Sequence, residues 1–468
     1  MISKIHVRAT LHVIGIMTGL FIFESTLYSI SSAMNHRLVT SSPLLYKQID
    51  YAEKAMSFEI EPWISGMFDP EHVMQNLGIN GQSHMALSQQ GLGDINPELL
   101  LLGVASSAHN YTSTIDLTPE LFMFGALLHF YKQYDYIFFD IRTAILNCKT
   151  IINIEESGAS TGGMLDFKGN PIYNAHDAFT QSDWGYGKFG DATSTTGLDN
   201  IQFMIGSSGQ VGSSERNPSY VAGFILAEAP TSHGTRSEWL FEPQVGTNHW
   251  ALGAGLDYML ASENGFSLVA GGNYRYIFSN WETRSFDLTI NGEWSRYLAL
   301  DVIAKLGTEG IVPGLPGINL FTQDALINGR NQVNAYARLQ KIFNGCLLEL
   351  SYNFLYTQQE TINEVDTIAP GFGIYDVFNG GGVSTASTAT IAQADPVSDG
   401  LNPVTLVTSD LNLNSGAESK WMSSMIAARL QTIHESYTFG LGASVDIANS
   451  IQAISTWSVW MNFEVLLY

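Results

Sequence analysis

The stretch from Trp250 to Ser295 constrains the fold most, because its apolar and polar side chains alternate with a period of two. Trp250 to Leu260, Phe266 to Phe278 and Phe286 to Trp294 each place apolar residues on one parity and smaller or polar residues on the other. Successive side chains of a β-strand point to opposite faces, so this period predicts strands. Such segments exceed the roughly 5–6 residues usual in soluble sheets and match the roughly 9–11 tilted residues that cross a bilayer. The stretch therefore predicts three strands of a transmembrane β-barrel.

Composition supports a membrane barrel and excludes one class of partner. Charged residues make up 14% of the chain, against roughly 25% in soluble domains. A lipid-facing surface on every strand accounts for this low charge content. The formal net charge of −23 argues against nucleic acid as a partner, because phosphate binding needs an excess of Lys and Arg. An acidic interior would favour cations over anions.

The N-terminal region predicts export. Residues 1–33 have the order of a secretory signal peptide, with Lys4 and Arg8 before the apolar run Leu11 to Phe23 and small residues that suit cleavage after it. Residues 34–55 are mixed in character and are predicted to form an N-terminal periplasmic arm. No later segment is apolar for as long as a transmembrane helix requires, so the outer membrane of a Gram-negative bacterium is the expected location.

Residues 56–468 are predicted to form one all-β domain, a transmembrane antiparallel barrel. Clear hairpins are expected at Thr118–Phe130 with Tyr136–Ile152, and at Val333–Ile342 with Leu347–Thr357 around Asn344-Gly345. The strand candidates number 12 to 16, and 14 is the prediction, because single-chain bacterial barrels normally have an even number of strands. Three long external loops are predicted, at 157–196, 308–331 and 361–418.

Two of these loops are candidates for a constriction inside the barrel. Long connections without secondary structure are uncommon unless they are functional or disordered. Ser157–Thr196 carries Trp184 and Tyr186, and Ile311–Asn331 carries Phe321. Either segment could fold inward and narrow the pore, and this is an expectation that a structure can test.

The C-terminal strand, Ala453 to Tyr468, alternates in the same way and ends on an aromatic residue. This ending resembles the terminal signal by which outer-membrane barrels are recognised for assembly. The match departs from that pattern at one point, since Tyr468 lies on the parity of Asn462 and Glu464 rather than on the apolar parity. The barrel-assembly machinery is therefore an expected partner, as are outer-membrane lipid and lipopolysaccharide.

The middle of the chain carries a second resemblance. The segment GFILAEAPTSHGTRSEWLFEPQVGTNHWALGAGL, Gly223 to Leu256, is similar to an uncharacterised family of predicted porin-like outer-membrane barrels of host-associated bacteria. Arg284–Asp287, Ser295–Tyr297, Trp457 and Trp460 agree with it as well. The resemblance covers the second half of the chain well and the first half loosely. It implies a barrel and supplies no activity.

The parity opposite the lipid face predicts the residues that line the barrel interior. A soluble sandwich would place the same residues toward water, so segment length, aromatic placement and the signal peptide decide between the two. Charges of both signs are typical of a wet, transversely polarised pore. The predicted pore-lining residues are Asp257, Asn273, Arg275, Asp287, Glu293, Arg338, Glu349 and Asp446, with Asn291, Ser351 and Asn353 on the same parity.

Neither a catalytic nor a cofactor site is predicted. His233 and His249 have polar neighbours, but neither spacing is a catalytic motif. Cys148 and Cys346 lie outside any metal spacing and are expected to stay apart. Five aspartates of the last long loop could offer oxygen ligands to Ca²⁺ or Mg²⁺, but their spacing favours solvated loop charges. They are Asp366, Asp376, Asp395, Asp399 and Asp410.

These patterns predict a porin-like channel for passive diffusion of small hydrophilic solutes or ions, without enzymatic activity. A homo-oligomer is compatible with the sequence. The alternative is a surface barrel whose long loops bind a host or partner molecule, and an interior blocked by side chains would favour it. A barrel that passes hydrophobic substrates would need an apolar lumen and a lateral opening.

Overall fold

Twelve strands, numbered here in chain order, form the wall of a closed barrel. The computed structural model describes residues 56–88, 91–100, 111–160, 164–166, 170–211, 217–302, 315–375, 388–393, 405–450 and 453–467. The signal peptide and periplasmic arm expected at 1–55 lie outside these residues. The strands are β1 (Met56–Met67), β2 (Ser113–Tyr134), β3 (Ile137–Ser157), β4 (Ile201–Val211), β5 (Ser219–Ala229), β6 (Ala251–Ala261), β7 (Phe266–Ile277), β8 (Arg330–Phe343), β9 (Cys346–Thr357), β10 (Trp421–Ile433), β11 (Tyr437–Ala448) and β12 (Thr456–Leu467).

The barrel is an antiparallel meander that closes between its last and first strands. Each strand pairs with the next along the chain, and β12 pairs with β1 in a register that sets Leu467 opposite Met56. Two further strands lie outside the ring on the two longest wall strands: His84–Leu87 pairs with β2, and Thr193–Leu198 pairs with β3. Closure satisfies the hydrogen bonds of every wall strand, which is what a sheet needs in lipid.

The two ends of the barrel differ in their connections. At one end the strands are joined by short turns, as at Asn344-Gly345, whose φ values of 48° and 77° suit a tight hairpin. We call this the turn end. At the other end, the cap end, the connections are 68–112, 158–200, 230–250, 278–329, 358–420 and 449–455. Short turns on one side and longer connections on the other are typical of barrels that span outer membranes.

An apolar belt encircles the outer wall. On β2 the outward side chains change from Thr118 and Glu120 to Phe122 and Phe124, which are 43% and 49% exposed. On the paired strand β3 the change falls between Ile145 and Lys149. Exposed large apolar side chains continue round the ring on every strand and fit a hydrocarbon environment. No described helix is long and apolar enough to cross a membrane.

The predicted number of 14 wall strands is wrong, because the closed ring has 12 and the other two strands of the same sheet lie outside it. The excess came from two segments that followed the central hairpin. Phe286–Trp294 forms no wall strand, and the described residues that follow it form the short strand Ala299–Val302, which pairs with two short segments away from the ring.

The segment Phe286–Trp294 lies in the connection between β7 and β8. Only Asp287–Leu288 is extended, and it pairs with Leu411–Asn412. The chain then turns, with φ of 75° at Gly292 and 60° at Trp294, so the strand cannot continue. Its period of two arose because Phe286, Leu288 and Trp294 all contribute to one buried cluster.

The cap-end connections contain short elements of their own. The first helix, Pro70–Leu77, begins after Asp69, whose carboxylate accepts a hydrogen bond from the backbone N–H of His72 at 3.3 Å. The other helices are Pro97–Leu100, Ala175–Phe179, Gly317–Leu320 and Leu413–Gly416, with 3-10 turns at Ile79–Gly81, Ser295–Tyr297 and Thr408–Asp410. The remaining strands are Met164–Leu165, Pro171–Ile172, Asn280–Ser285, Asp287–Leu288, Ala299–Val302, Leu315–Pro316, Thr322–Ile327, Ile362–Val365, Phe372–Ile374 and Leu411–Asn412.

These connections pack together into one body, which we call the cap. Apolar side chains from the five longer connections belong to a single buried cluster. The cluster continues onto lumen-facing wall residues, including Leu127, Leu146, Cys148 and Trp460. The cap is therefore continuous with the packed interior of the barrel.

Candidate functional site

Six of the eight predicted pore-lining residues lie on the inner face of the wall. They are Asp257, Asn273, Arg275, Arg338, Glu349 and Asp446, and all except the half-buried Asp257 are buried. Asn353 and Ser351 also face inward from β9 and are buried. The parity argument thus placed these side chains on the correct face of each strand.

The other two predicted residues are misplaced, because their segment is not a wall strand. Asp287 lies in the cap, where its carboxylate accepts hydrogen bonds from the side chain of Arg296 at 2.9 and 2.8 Å. Glu293 accepts a hydrogen bond from the backbone N–H of Asn80 at 2.6 Å and joins two cap connections. Asn291 likewise donates to the carbonyl of Ala389 within the cap.

Several charged residues that the prediction omitted also face the lumen. The sequence could have identified them, because along each strand they alternate with apolar residues that face outward. None of them is more than 9% exposed. They are Glu59, Glu61, His129, Asp140, Arg142, Glu228, Arg429 and Glu464.

The first lumen cluster joins β1, β2 and β3. Arg142 donates from Nε and Nη2 to the two oxygens of Asp140 at 2.7 and 2.6 Å. His129 places Nε2 2.9 Å from Asp140 and Nδ1 3.3 Å from Glu59. Bidentate geometry of this kind holds a guanidinium and a carboxylate in a fixed orientation.

The second cluster joins β4 to β8 on the neighbouring arc of the wall. Arg275 donates to Glu228, which also accepts a hydrogen bond from Gln202 at 2.8 Å. The hydroxyl of Tyr336 donates to Asp257. On this arc Arg275 and Glu228 thus form an ion pair, while Asp257 is held by a neutral hydroxyl.

The third cluster joins β8, β9 and β10. Glu349 accepts from Gln340 at 2.8 Å and from Nη2 of Arg429 at 3.1 Å. Farther round the ring, Thr438 donates to Glu464 at 3.2 Å. The lumen therefore carries charges of both signs along much of its circumference.

Side chains fill the barrel at this level. Tyr131 and Phe138 stack with ring centroids 6.1 Å apart and share a buried cluster with Phe224 and Tyr336. Since the described charged lumen residues other than Asp257 are almost wholly inaccessible, no wide water-filled passage runs along them in this conformation. The barrel interior is closed by its own side chains near the turn end.

A network of buried charges fixes the cap to the rim of the barrel. Arg284 donates to Glu282 at 2.6 Å and lies 3.3 Å from Glu360 and 3.9 Å from Glu418. Arg330, the first residue of β8, lies 3.0 Å from Glu360 and 2.6 Å from Glu418. Two connections and one wall strand are thus held by one set of ion pairs, which we call the rim network.

His249 completes the rim network from the connection between β5 and β6. Its Nε2 lies 3.0 Å from Glu282, and its Nδ1 donates to the carbonyl of Phe278 at 2.6 Å. Burial opposes the charged imidazole, but the hydrogen bond and charge of Glu282 outweigh it, so the pKa of His249 lies above its ordinary value. Burial likewise opposes the ionised Glu282, yet Arg284 and His249 lower its pKa to about 2. With His249 protonated, three carboxylates face three cations.

Raising the pH is therefore expected to loosen the cap through His249. A base whose folded pKa is raised contributes stability that is fully present below its unfolded pKa of about 6.5 and is lost as the pH rises through the folded value. Thermal unfolding followed by near-ultraviolet circular dichroism should show this loss, and His249→Gln should flatten it. The control is His233→Gln, since His233 is exposed. If this variant flattened the pH dependence of thermal unfolding as much as His249→Gln, the dependence could not be assigned to His249.

A second titratable group of the cap, the carboxyl of Glu242, also contributes less stability as the pH rises. Burial raises the pKa of Glu242 to about 7, although its carboxylate accepts hydrogen bonds from the backbone N–H groups of Arg236 and Ser237. Its contribution to stability falls as the pH rises from about 4.5 to about 7. The pH dependence of thermal unfolding that remains in His249→Gln is the contribution of Glu242, which that variant keeps.

Aromatic side chains form the centre of the cap. Trp184 stacks on Tyr297 with centroids 5.0 Å apart, and Phe179 stacks on Phe189 at 4.1 Å. Trp294 packs between them and donates from Nε1 to the carbonyl of Leu77 at 2.9 Å. Trp184 and Phe321 are buried in this cluster and Tyr186 packs against it, so the described parts of both segments belong to the cap, and a constriction of the pore by them stays a prediction.

The remaining candidates form no assembled centre. The described residues hold no group of three His, Cys, Asp or Glu side chains suited to a metal ion. Of the loop aspartates, Asp410 accepts a hydrogen bond from the backbone N–H of Val407, whereas Asp376, Asp395 and Asp399 lie outside the described residues. Cys148 faces the lumen from β3, and Cys346 begins β9 at the turn end.

Comparison with known proteins gives similarity of structure only. No protein-family model and no curated protein matches the sequence. An outer-membrane channel of Pseudomonas putida F1 matches with a TM-score of 0.42 and 8% identity, over 90% of this chain and 99% of that one. The transport unit of the Escherichia coli autotransporter AIDA-I matches with a TM-score of 0.33 and 8% identity, over 92% and 95%. The Pseudomonas putida toluene transporter TodX matches with a TM-score of 0.26 and 8% identity, over 96% and 98%.

At 8% identity and TM-scores below 0.5, these three proteins do not indicate what this chain binds or transports. The functional argument therefore depends on the lumen and the cap themselves.

Proposed function

We propose that the protein is a gated outer-membrane channel for small hydrophilic solutes or ions, with the cap as its gate. The apolar belt supports a membrane location, and the turn end is then periplasmic and the cap external. Barrel-assembly machinery, lipopolysaccharide and a homo-oligomer remain predictions of this location. Passive diffusion would follow opening, since the conformation described is closed by lumen side chains.

The observation that carries the proposal is the charged interior of the wall. Replacing a buried ion pair by apolar residues is often neutral or stabilising, so stability alone does not account for Asp140–Arg142 or Glu228–Arg275. Ionisable residues inside a membrane protein commonly mark a pathway. Buried polar atoms such as Gln202 Oε1 and Arg275 Nη2 have no protein partner among the described residues, which favours water in the lumen.

A second candidate function has an observation of its own. The filled lumen and the packed cap favour a surface barrel whose cap binds a host or partner molecule. This alternative needs no passage through the wall and predicts that loosening the cap would change binding without creating conductance.

Single-channel recording of the refolded protein in planar bilayers tests the proposal. We expect discrete steps that grow with salt concentration, with the open fraction increased in Arg284→Met, which breaks the rim network. The lumen control is Arg275→Gln, which should alter step size and leave the cap intact. A heat-modifiable barrel that conducts neither as wild type nor as Arg284→Met would overturn the channel and favour the binding surface.

A further inference from the structure

The seam where the ring closes has an inner surface unlike the rest of the lumen. We define the seam by the inward residues of β1 and β12, namely Glu59, Glu61, Trp63, Trp460, Asn462 and Glu464. The register pairs Ile60 with Phe463 and Trp63 with Trp460, which places Glu61 beside Asn462. All six side chains are at most 8% exposed.

Asn462 is the unexplained residue of the seam. It is fully buried, yet neither its Oδ1 nor its Nδ2 has a hydrogen-bond partner among the described residues. The indole Nε1 atoms of Trp63 and Trp460 are also buried without a partner. Buried polar groups are almost always satisfied, so the open Oδ1 acceptor of Asn462 indicates a bound cation or donor that the protein chain does not supply. The three open N–H groups are donors and indicate water beside it.

Charge identifies the sign of that species. Around the seam, Glu59, Glu61 and Glu349 interact with the guanidinium of Arg429, which is 3.1 Å from Glu349, and Glu464 accepts a hydrogen bond from Thr438. Elsewhere on the wall each carboxylate of an ion pair has its own arginine, as in Asp140–Arg142 and Glu228–Arg275. The seam is thus the arc of the lumen where carboxylates outnumber cations, although His129 near Glu59 offsets one of them when it is protonated.

We propose that the seam holds a subsite for a small monovalent cation, of the size of K⁺ or ammonium, on the route through the lumen. Carboxylate and amide oxygens are ligands for such cations, and the faces of Trp63 and Trp460 attract them through their π electrons. The subsite rests on the proposed channel function and adds its selectivity. Glu61 and Asn462 supply the recognition.

Binding is tested by thermal unfolding of the folded protein in detergent. Melting temperatures are compared in KCl, NH₄Cl and N-methylglucamine chloride at equal ionic strength. We expect the two small cations to raise the melting temperature, and Glu61→Gln and Asn462→Leu to abolish the difference. Glu120→Gln, an outward and exposed carboxylate on β2, should retain it. Equal melting temperatures in all three salts for the wild type would overturn the subsite.

Permeation is tested by reversal potentials across an asymmetric KCl gradient. We expect the permeability ratio of K⁺ to Cl⁻ to fall about fivefold in Glu61→Gln, as for the loss of one charge about 4 Å from the ion in a water-filled lumen with an effective dielectric of about 80. If Glu61→Gln conducts with an unchanged permeability ratio of K⁺ to Cl⁻, the subsite does not lie on the permeation route, and the channel function is unaffected. Salt-specific melting without any conductance would overturn the channel function and leave a cation site in a closed barrel.

Discussion

Arg284→Met is expected to release the cap while the barrel wall stays folded. Among the described residues, the change removes the only cation within 4.0 Å of Glu282 other than His249, and one of two that hold Glu360 and Glu418. Breaking a buried ion pair from one side costs about 3–5 kcal/mol, because the remaining charges stay buried without compensation. Hydrogen exchange of the cap amides should therefore accelerate roughly 10²- to 10⁴-fold, with the wall amides unaffected.

The matched control is Arg236→Met, in a neighbouring cap connection. The side chain of Arg236 is 65% exposed and lies 4.0 Å from Glu238. A surface pair of this kind contributes about 0–1 kcal/mol, so exchange in the cap should change little. If Arg284→Met also left cap exchange at the wild-type rate, the rim network would not hold the cap, and another contact would have to be the gate.

The wall of the barrel could be predicted from the sequence because the alternation of side chains along a strand follows the environments on its two faces. Leu252, Leu256 and Tyr258 alternate with Gly253, Gly255 and Asp257, and the structure places the first set toward lipid and the second toward the lumen. Lipid on one side and polar lumen on the other impose this alternation at every position. Parity alone therefore assigned six of the predicted pore-lining residues to the correct face.

The cap could not be predicted in this way, since its short segments are buried by contacts with distant connections. Asp287–Leu288 is extended because it pairs with Leu411–Asn412, more than a hundred residues away. The apparent third strand at Phe286–Trp294 had a period of two without a sheet to impose it. The surplus in the strand count has the same origin, because local alternation cannot distinguish two paired residues from a complete wall strand.

The ion-pair partners of the charged lumen residues could not be predicted from the sequence either. Arg429 and Glu349 lie on adjacent strands but are separated by 80 residues in the chain, and their contact depends on the register of β9 with β10. A one-residue shift would turn both side chains to the lipid face. Parity thus identifies which residues enter the lumen, while register decides which of them meet.

Trp294→Ala is expected to destabilise the cap by about 3–5 kcal/mol, as is usual when a large aromatic side chain is removed from a packed core. Trp294 is fully buried, and its ring lies 5.5 Å from Phe189 and 5.4 Å from Tyr297. Its indole N–H also donates to Leu77, so one side chain joins three cap connections. The near-ultraviolet circular dichroism of the cap should melt at lower temperature, while the far-ultraviolet signal of the barrel persists.

Two further variants separate packing from other causes. Trp281, in the same connection, is 47% exposed, and Trp281→Ala should leave the melting of the cap nearly unchanged. Trp294→Phe keeps most of the ring packing but loses the hydrogen bond to Leu77, and its cost should be about 1 kcal/mol. If the cap is the gate, the open fraction in bilayers should rise in the order Trp294→Phe, then Trp294→Ala, in step with the loss of cap stability. If the cap of Trp294→Ala melts at lower temperature but the open fraction does not change, the cap is not the gate. The lumen side chains alone would then close the channel.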